Sequence, residues 1–194
     1  MAYSQGAYGG QPMAGGAPAG PFSQPVDPVI QQWFVSVDQD RSGQISTSEL
    51  QQALTNSNWS RFNEETCHLM IGLFDRDMSG TINLGEFQAL WTYIQQWKGV
   101  FDQFDRDRSG FIDANELNNA YTQMGYRLSP AFSSMVVFRY DPQFRRQLSL
   151  DNFIQSCVLL KTITDTFRQK DAQAQGVINV GYEEFLSMVM LNRH

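Results

Sequence analysis

The sequence predicts an all-α fold of eight helices, with short β-bridges between paired loops and a disordered Gly/Pro-rich N-terminus. Three acidic segments of twelve residues recur along the chain, and apolar residues at helical spacing flank each of them. Two further segments keep the outline of this repeat, which gives five helix–loop–helix units. Two of the helices are each shared by neighbouring units, so the five units require eight helices.

The composition limits the classes of function. The chain has 194 residues, a net charge of -6 and a pI of about 4.8, which argues against a nucleic-acid binder because such proteins need a basic face. No apolar run approaches the roughly 20 residues of a membrane span, and no signal-peptide pattern is present. Cys67 and Cys157 are too few for a disulfide framework. We therefore expect a soluble, cytoplasmic protein.

The first 26 residues differ from the rest of the chain because they contain no charged side chain and are rich in Gly, Pro and Ala. Such a segment cannot bury enough apolar surface to offset the entropy cost of ordering it. We predict a disordered tail over residues 1–26 and a folded domain over residues 27–194. The tail could serve as a reversible contact arm or be a passive extension, and the sequence leaves both open.

Three segments carry the residues of a calcium-binding loop. Residues 38–49 read DQDRSGQISTSE, residues 75–86 read DRDMSGTINLGE and residues 105–116 read DRDRSGFIDANE. Each matches the EF-hand loop, with Asp at positions 1 and 3, Ser at 5, Gly at 6 and Glu at 12. Ca²⁺ binds oxygen atoms, and position 7 supplies a backbone carbonyl. The predicted ligands are Asp38, Asp40, Ser42, Gln44 and Glu49, then Asp75, Asp77, Ser79, Thr81 and Glu86, and finally Asp105, Asp107, Ser109, Phe111 and Glu116.

The third loop has an additional carboxylate, Asp113, at position 9. Because a greater negative charge favours the cation, the loop at 105–116 is predicted to bind calcium most tightly of about three sites. Position 8 is isoleucine in all three loops, and these residues are predicted to join paired loops through short β-bridges. They are Ile45, Ile82 and Ile112.

The fourth segment, residues 141–152, keeps the loop outline without its chemistry. Gln143 replaces the Asp of position 3, and two cations, Arg145 and Arg146, stand at positions 5 and 6. Asn152 replaces the bidentate Glu of position 12. We therefore predict that this degenerate loop does not bind calcium.

The fifth segment, residues 171–184, is also degenerate and has no partner loop, since the first four loops form two pairs. Tyr182 stands at position 12 and Glu184 follows two residues later, as though the loop were stretched. An unpaired strand edge and apolar helix face predict a dimer that forms through two copies of the fifth unit. The apolar residues available for that interface are Phe185, Leu186, Met188, Val189, Met190 and Leu191.

Two apolar stripes mark the shared helices. The first comprises Phe87, Leu90, Trp91, Ile94, Trp97, Phe101 and Phe104, and the second comprises Phe153, Cys157, Leu160, Ile163 and Phe167. Both are interpreted mainly as core. Four aromatic residues near the turns between helices could contact a partner or pack in the core, namely Trp59, Phe62, Tyr121 and Tyr126.

Five such units with shared helices resemble the penta-EF-hand family over roughly residues 27–194. The resemblance is carried by NWSRFNEETCHLMIGLFD (58–75), QQWKGVFDQFDRDRSG (95–110) and QMGYRLSP (123–130). It implies a cytosolic, calcium-responsive protein that forms a homodimer or a heterodimer with another family member. It further implies an adaptor at endoplasmic-reticulum exit sites and COPII vesicle coats.

Three functions remain open: a calcium-triggered adaptor, a regulatory subunit of a calcium-dependent protease, and a calcium buffer. The adaptor is favoured, and it would bind Pro-rich segments of partner proteins or contact membranes peripherally. Three bound Ca²⁺ ions would bring the net charge of -6 to about zero, which would favour association. An enzyme is not expected, because the chain has only His68 and His194 as histidines and carries no nucleophile elbow or phosphate loop.

Overall fold

The computed structural model describes residues 27–57, 59–141, 146–171 and 173–191, so the predicted disordered tail lies outside the described residues. Within these ranges the chain forms eight helices and two short strands, which confirms the predicted fold class. No described helix combines the length and the apolar character that crossing a membrane would require. The elements are α1 (Pro28–Val37), α2 (Thr47–Ala53), α3 (Glu64–Phe74), α4 (Leu84–Phe104), β1 (Ile112–Asp113), α5 (Ala114–Gln123), α6 (Pro130–Tyr140), β2 (Gln147–Leu148), α7 (Leu150–Lys170) and α8 (Tyr182–Leu191).

The helices form five helix–loop–helix units in which α4 and α7 are each shared by two units. Both shared helices contain 21 residues. The first two loops are joined by a β-bridge in which the Ile45 and Ile82 N–H groups donate to each other's carbonyl at 2.8 and 2.9 Å. The third and fourth loops are joined by antiparallel β1 and β2, with Ile112 opposite Leu148. The predicted pairing of loops by position-8 residues is therefore present in both pairs.

The core is centred on α4 and α7. Five residues of the predicted α4 stripe are buried, and Trp91 and Trp97 are partly buried against the same core. Phe153 of α7 receives edge-on contacts from Trp97 and Phe101, with ring centroids 5.9 and 5.7 Å apart. These contacts join the two shared helices, so they also join the two pairs of units.

The second stripe is less buried than the sequence predicts. Phe153 and Cys157 are buried, but Ile163 is 49% exposed and Phe167 is partly exposed. The C-terminal half of α7 belongs to the fifth unit, whose second helix, α8, leaves most of its own side chains exposed. This half of α7 consequently has less protein packed against it.

Both cysteines are buried and unpaired, in agreement with the absence of a predicted disulfide framework. Burial raises the pKa of the Cys67 thiol to about 12, and it also raises the pKa of Cys157. Both thiols are therefore protonated at neutral pH and lack the thiolate that reacts with oxidants.

A buried carboxylate, that of Asp151, connects the two pairs of units. One of its oxygens accepts hydrogen bonds from the backbone N–H of Asn63 at 2.7 Å and from the Asn63 side-chain amide at 2.9 Å. The other accepts from the Ser149 hydroxyl and from the Asn152 N–H. The Asp151 N–H donates in turn to the side-chain oxygen of Asn56 at 2.9 Å. The start of α7 is thus bonded to the linker between α2 and α3.

We expect Asp151→Ala to lower the free energy of unfolding by roughly 2–4 kcal/mol, because it leaves several buried donors without an acceptor. Asp151→Asn should have an intermediate effect, since it retains the shape and one acceptor oxygen. Chemical denaturation followed by circular dichroism would measure both changes.

The matched control is Asp165→Ala on the same helix, where the carboxylate forms a partly exposed ion pair with Lys161 at 2.5 Å. Exposed pairs of this kind contribute about 0–1 kcal/mol, so this variant should remain close to wild type. Equal losses for Asp151→Ala and Asp165→Ala would contradict the role assigned to Asp151.

Candidate calcium sites

The structure brings the predicted carboxylates together in each of the three intact loops. In every loop, one carboxylate oxygen from each of positions 1, 3 and 12 lies within 4.8 Å of the other two. Oxygen ligands bind Ca²⁺ at about 2.3–2.6 Å, so oxygens this close to one another can contact one ion. The three clusters are Asp38, Asp40 and Glu49, then Asp75, Asp77 and Glu86, and Asp105, Asp107 and Glu116.

The first carboxylate of each loop is positioned by the end of the preceding helix. In the first loop, Asp38 caps the C-terminus of α1, and its two oxygens accept the N–H groups of Ser42 at 3.0 Å and Gly43 at 2.9 Å. This tight turn needs a positive φ, which is 58° at Arg41 and 79° at Gly43. Gly80 and Gly110 have the same conformation, with φ of 78° and 79°.

The glutamate at position 12 closes each loop. Glu49 accepts the Gln39 N–H on one carboxylate oxygen and the Ser46 N–H on the other, each at 2.9 Å. Glu86 and Glu116 make the equivalent pairs of bonds at 2.8–3.0 Å. The last predicted ligand is therefore held in place by the backbone at both ends of its loop.

Each of these glutamates is also part of a helix N-terminal capping box, which the pattern of calcium ligands does not itself predict. Position 9 is the N-cap of the following helix in all three loops, and position 12 is its third residue. A Ser, Asn or Asp followed three residues later by Glu is a sequence signal for this arrangement. The same side chain thus starts a helix and faces the cluster. The N-cap residues are Ser46, Asn83 and Asp113.

The predicted neutral ligands lie together in each loop. The Ser42 hydroxyl donates to the Gln44 carbonyl at 2.9 Å, and Ser109 donates to the Phe111 carbonyl at 3.2 Å. Positions 5 and 7 of the second loop, Ser79 and Thr81, are in the same relation at 3.4 Å. Hydroxyl and carbonyl oxygens so close to one another could reach a common cation.

The carboxylates at position 3 are held in their charged form. The Ser42 hydroxyl and N–H lower the pKa of Asp40 below its ordinary value, and Ser79 and Ser109 do the same for Asp77 and Asp107. Lowered pKa values keep these groups ionised at neutral and mildly acidic pH. The three sites therefore present negative charge without prior deprotonation.

Asp113, the additional carboxylate of the third loop, lies outside its cluster. One of its oxygens accepts the N–H groups of Asn115 at 2.7 Å and Glu116 at 2.8 Å, as expected of an N-cap. Its charge still lies within the loop, because Asp113 is the N-cap member of the capping box whose other member is Glu116. Asn83 occupies the corresponding position of the second loop without that charge.

The fourth loop keeps the turn and the position-1 carboxylate, Asp141, but its sequence lacks the carboxylates of positions 3 and 12. The Arg146 N–H donates to Asp141, and Arg146 takes the positive φ of 60° that glycine adopts in the intact loops. Asn152, at position 12, accepts from the side-chain amide of Asn63 and donates to Ser149. The residues at positions 3 and 5 of this loop, 143 and 145, lie outside the described residues.

The fifth loop likewise keeps the turn and the position-1 carboxylate, Asp171. Asp171 accepts the N–H groups of Gln175 at 2.9 Å and Gly176 at 2.6 Å. Glu184 forms an ion pair with Lys170 at 2.5 Å, and this contact lowers the pKa of Glu184. Among the described residues, neither the fourth nor the fifth loop contributes to an acidic cluster.

Isothermal titration of Ca²⁺ into Glu49→Ala, Glu86→Ala and Glu116→Ala should show the loss of about one binding event in each variant. The reason is that each substitution removes two carboxylate oxygens, and with them the hydrogen bonds that close the loop. For wild type we expect dissociation constants of roughly 10⁻⁷–10⁻⁵ M. Glu64→Ala, which removes an exposed carboxylate outside the loops, should titrate like wild type. An unchanged stoichiometry in the three loop variants would contradict these sites.

Comparison with known proteins agrees with the loop geometry. A family model described as an EF-hand domain pair matches residues 41–92, and one described as an EF-hand domain matches residues 96–125. Peflin of Homo sapiens is 48% identical over 175 residues, which cover 90% of this chain and 60% of peflin. Sorcin of Mus musculus is 43% identical over 192 residues, which cover 97% of this chain and 93% of sorcin. The matched region covers 60% of the length of human peflin and 66% of the length of Danio rerio peflin, so this chain spans less than two thirds of either.

A solved structure, that of a homolog of programmed cell death 6 protein from Leishmania major Friedlin, has the same fold. The TM-score is 0.74 at 26% identity, over 84% of this chain and 94% of the other. Within the family, the stretches at 58–75, 95–110 and 123–130 predict similarity to peflin first and to programmed cell death protein 6 next, and the similarity to peflin is confirmed. Because sorcin is matched along nearly its whole length, the chain belongs to the penta-EF-hand family of calcium-binding proteins.

Proposed function

We propose that the protein is a calcium sensor and adaptor that binds three Ca²⁺ ions, dimerises through its fifth unit and engages partners in response to calcium. The observation that carries this proposal is the set of three acidic clusters, each already closed by hydrogen bonds. The proposed ligands are the side chains at positions 1, 3, 5 and 12 and the carbonyl at position 7 of the loops at 38–49, 75–86 and 105–116.

The exposed helix α8 supports dimerisation. Phe185 is 52% exposed, Val189 is 50% exposed and Met190 is 68% exposed, although all three are large apolar residues. The described part of the fifth loop has no β-bridge, whereas each intact loop pairs with a neighbour. A second copy, or the fifth unit of another family member, would pair this loop and cover α8.

The charge of the chain supports a response to calcium. Ten of its twenty acidic residues lie in the three intact loops, and three Ca²⁺ ions would cancel the net charge of -6. Loss of net charge reduces repulsion from other acidic proteins and from anionic membranes. The proposed consequence is calcium-dependent recruitment from the cytoplasm to partner proteins with Pro-rich segments, or to endoplasmic-reticulum and vesicle membranes.

The adaptor role rests on the family resemblance, and its alternatives predict different behaviour. A regulatory subunit of a calcium-dependent protease would copurify with a large catalytic chain. A buffer would bind calcium without any change in its associations. Affinity capture from a cell extract, with calcium and with chelator, separates the three, since only an adaptor releases its partners when calcium is removed.

The double substitution Phe185→Ser with Val189→Ser should convert the dimer to a monomer, because it places two hydroxyl groups in the proposed interface. Analytical ultracentrifugation over a range of protein concentrations would measure the change. The matched control is Met135→Ser with Phe138→Ser, which alters two exposed apolar residues of α6, outside the fifth unit. A monomeric wild type, or equal effects of both double variants, would contradict dimerisation through α8.

Asp113→Asn should weaken calcium binding at the third loop by about threefold to tenfold, since it removes one nearby charge but keeps the N-cap acceptor. The resulting loop resembles the second loop, where Asn83 is the N-cap. Calcium titrations would be compared in a background of Glu49→Ala and Glu86→Ala, so that only the third loop binds. An unchanged affinity would remove the reason for ranking this loop first.

A further inference from the structure

Trp59 differs from the other aromatic residues near the turns between helices. Phe62 and Tyr121 are each 1% exposed and Tyr126 is partly buried, so these three serve the core. Trp59 is 89% exposed. An indole is a large apolar group whose N–H can still bond to water or to polar headgroups.

The segment that carries Trp59 is a formed turn. Thr55 and Arg61 are joined by an antiparallel β-bridge, and the Asn56 N–H donates to the Ser60 carbonyl at 2.8 Å. The Trp59 N–H donates to the Asn56 carbonyl at 2.9 Å, and Trp59 has a φ of 66°. A bulky residue rarely adopts this left-handed backbone conformation.

The base of the turn is anchored in the protein interior. Asn56 is 4% exposed, and its side-chain amide donates to the Ser60 hydroxyl at 3.0 Å and to the Arg61 carbonyl at 3.3 Å. Its side-chain oxygen accepts the Asp151 N–H at the start of α7. The Trp59 turn is therefore fixed to the core by a buried side chain.

The surroundings of Trp59 in sequence carry no negative charge. Residues 50–63 contain no acidic residue, and their one charged side chain is the exposed Arg61. Because the turn carries one positive charge and no negative charge, the phosphates of a lipid headgroup layer would not be repelled by it.

We propose that Trp59 is a membrane-contact residue, with its indole in the interfacial layer of a phospholipid bilayer and Arg61 facing lipid phosphates. This inference rests on the calcium-dependent membrane recruitment proposed above and assigns it a residue. Trp is enriched at membrane–water interfaces, where one side chain acts at the level of the headgroups. A protein interface would require about 1,000 Å² of complementary surface, whereas Trp59 is the one exposed large apolar side chain among the described residues of the turn, 55–57 and 59–61.

Calcium has a limited role in this proposal. Trp59 is already exposed in the described structure, so calcium does not need to uncover it. Neutralising the charge of -6 would instead remove repulsion from anionic lipids. Binding to neutral phosphatidylcholine vesicles should therefore depend weakly on calcium, and binding to vesicles that also contain phosphatidylserine should depend on it strongly.

The test is vesicle flotation of the full chain and of Trp59→Asn, with calcium and with chelator. Asn tolerates positive φ, so this variant keeps the turn while removing the indole. We expect roughly tenfold weaker binding to phosphatidylcholine–phosphatidylserine vesicles in calcium, the loss expected for one large apolar group. Val35→Ala, which removes an exposed apolar residue of α1 three positions before Asp38, should bind like wild type.

A second readout uses lipids with brominated acyl chains, which quench nearby tryptophan. Emission of the wild type should be quenched on these vesicles, and the quenching should disappear in Trp59→Asn. Equal flotation of wild type and Trp59→Asn, or a wild type that binds neither vesicle, would overturn the assignment. If Trp59→Asn floats with vesicles like wild type but no longer captures protein partners, then Trp59 contacts a protein and not a membrane. A calcium titration of Trp59→Asn tests the proposed calcium sensor separately. If the variant still shows three binding events, the calcium sites stand whatever the vesicle result.

Discussion

The interaction on which this structure depends is the hydrogen bond from a backbone N–H group to a carboxylate. Position 1 of each intact loop uses it to form the tight turn, and position 12 uses it to close the loop and to begin the next helix. Asp151 uses it to bond the start of α7 to the linker before α3. A charge-assisted bond of this kind is stronger than one between neutral groups, and it holds acidic side chains in place without a cationic partner. The protein can therefore concentrate negative charge and remain folded.

The fourth unit shows how a loop without calcium chemistry remains useful. It keeps the β-bridge to the third loop, so it supports the geometry of an intact site. The last two residues of its loop, Asp151 and Asn152, both bond to Asn63 of the other pair of units. A metal ligand at position 12 would turn its oxygen toward its own loop, whereas the Asn152 side-chain oxygen accepts from Asn63. The fourth unit therefore contributes a connection between the two pairs of units.

The sequence predicts the features that follow from local spacing. The three loops and the shared helices are set by residues close to one another in the chain. The bridges at Ile45, Ile82 and Ile112 join more distant residues, but they follow from the same position in each repeat. It does not predict Asp151, because its partners Asn56 and Asn63 lie 95 and 88 residues away. Exposure is equally hard to predict, since Ile163 and Trp59 resemble core residues in sequence. Whether they are covered depends on tertiary packing, which a periodic pattern does not contain.

The hydrogen bonds that Glu49, Glu86 and Glu116 make within their loops have a kinetic consequence. A loop that is already folded around its carboxylates has little conformational entropy left to lose when a cation arrives. Capture should then be limited by diffusion and by shedding of the water around the ion, both of which are fast. Differences in affinity among such sites fall mainly on the dissociation rate. The time for which a loop remains loaded after a calcium pulse would accordingly depend on how readily the closing glutamate releases the ion.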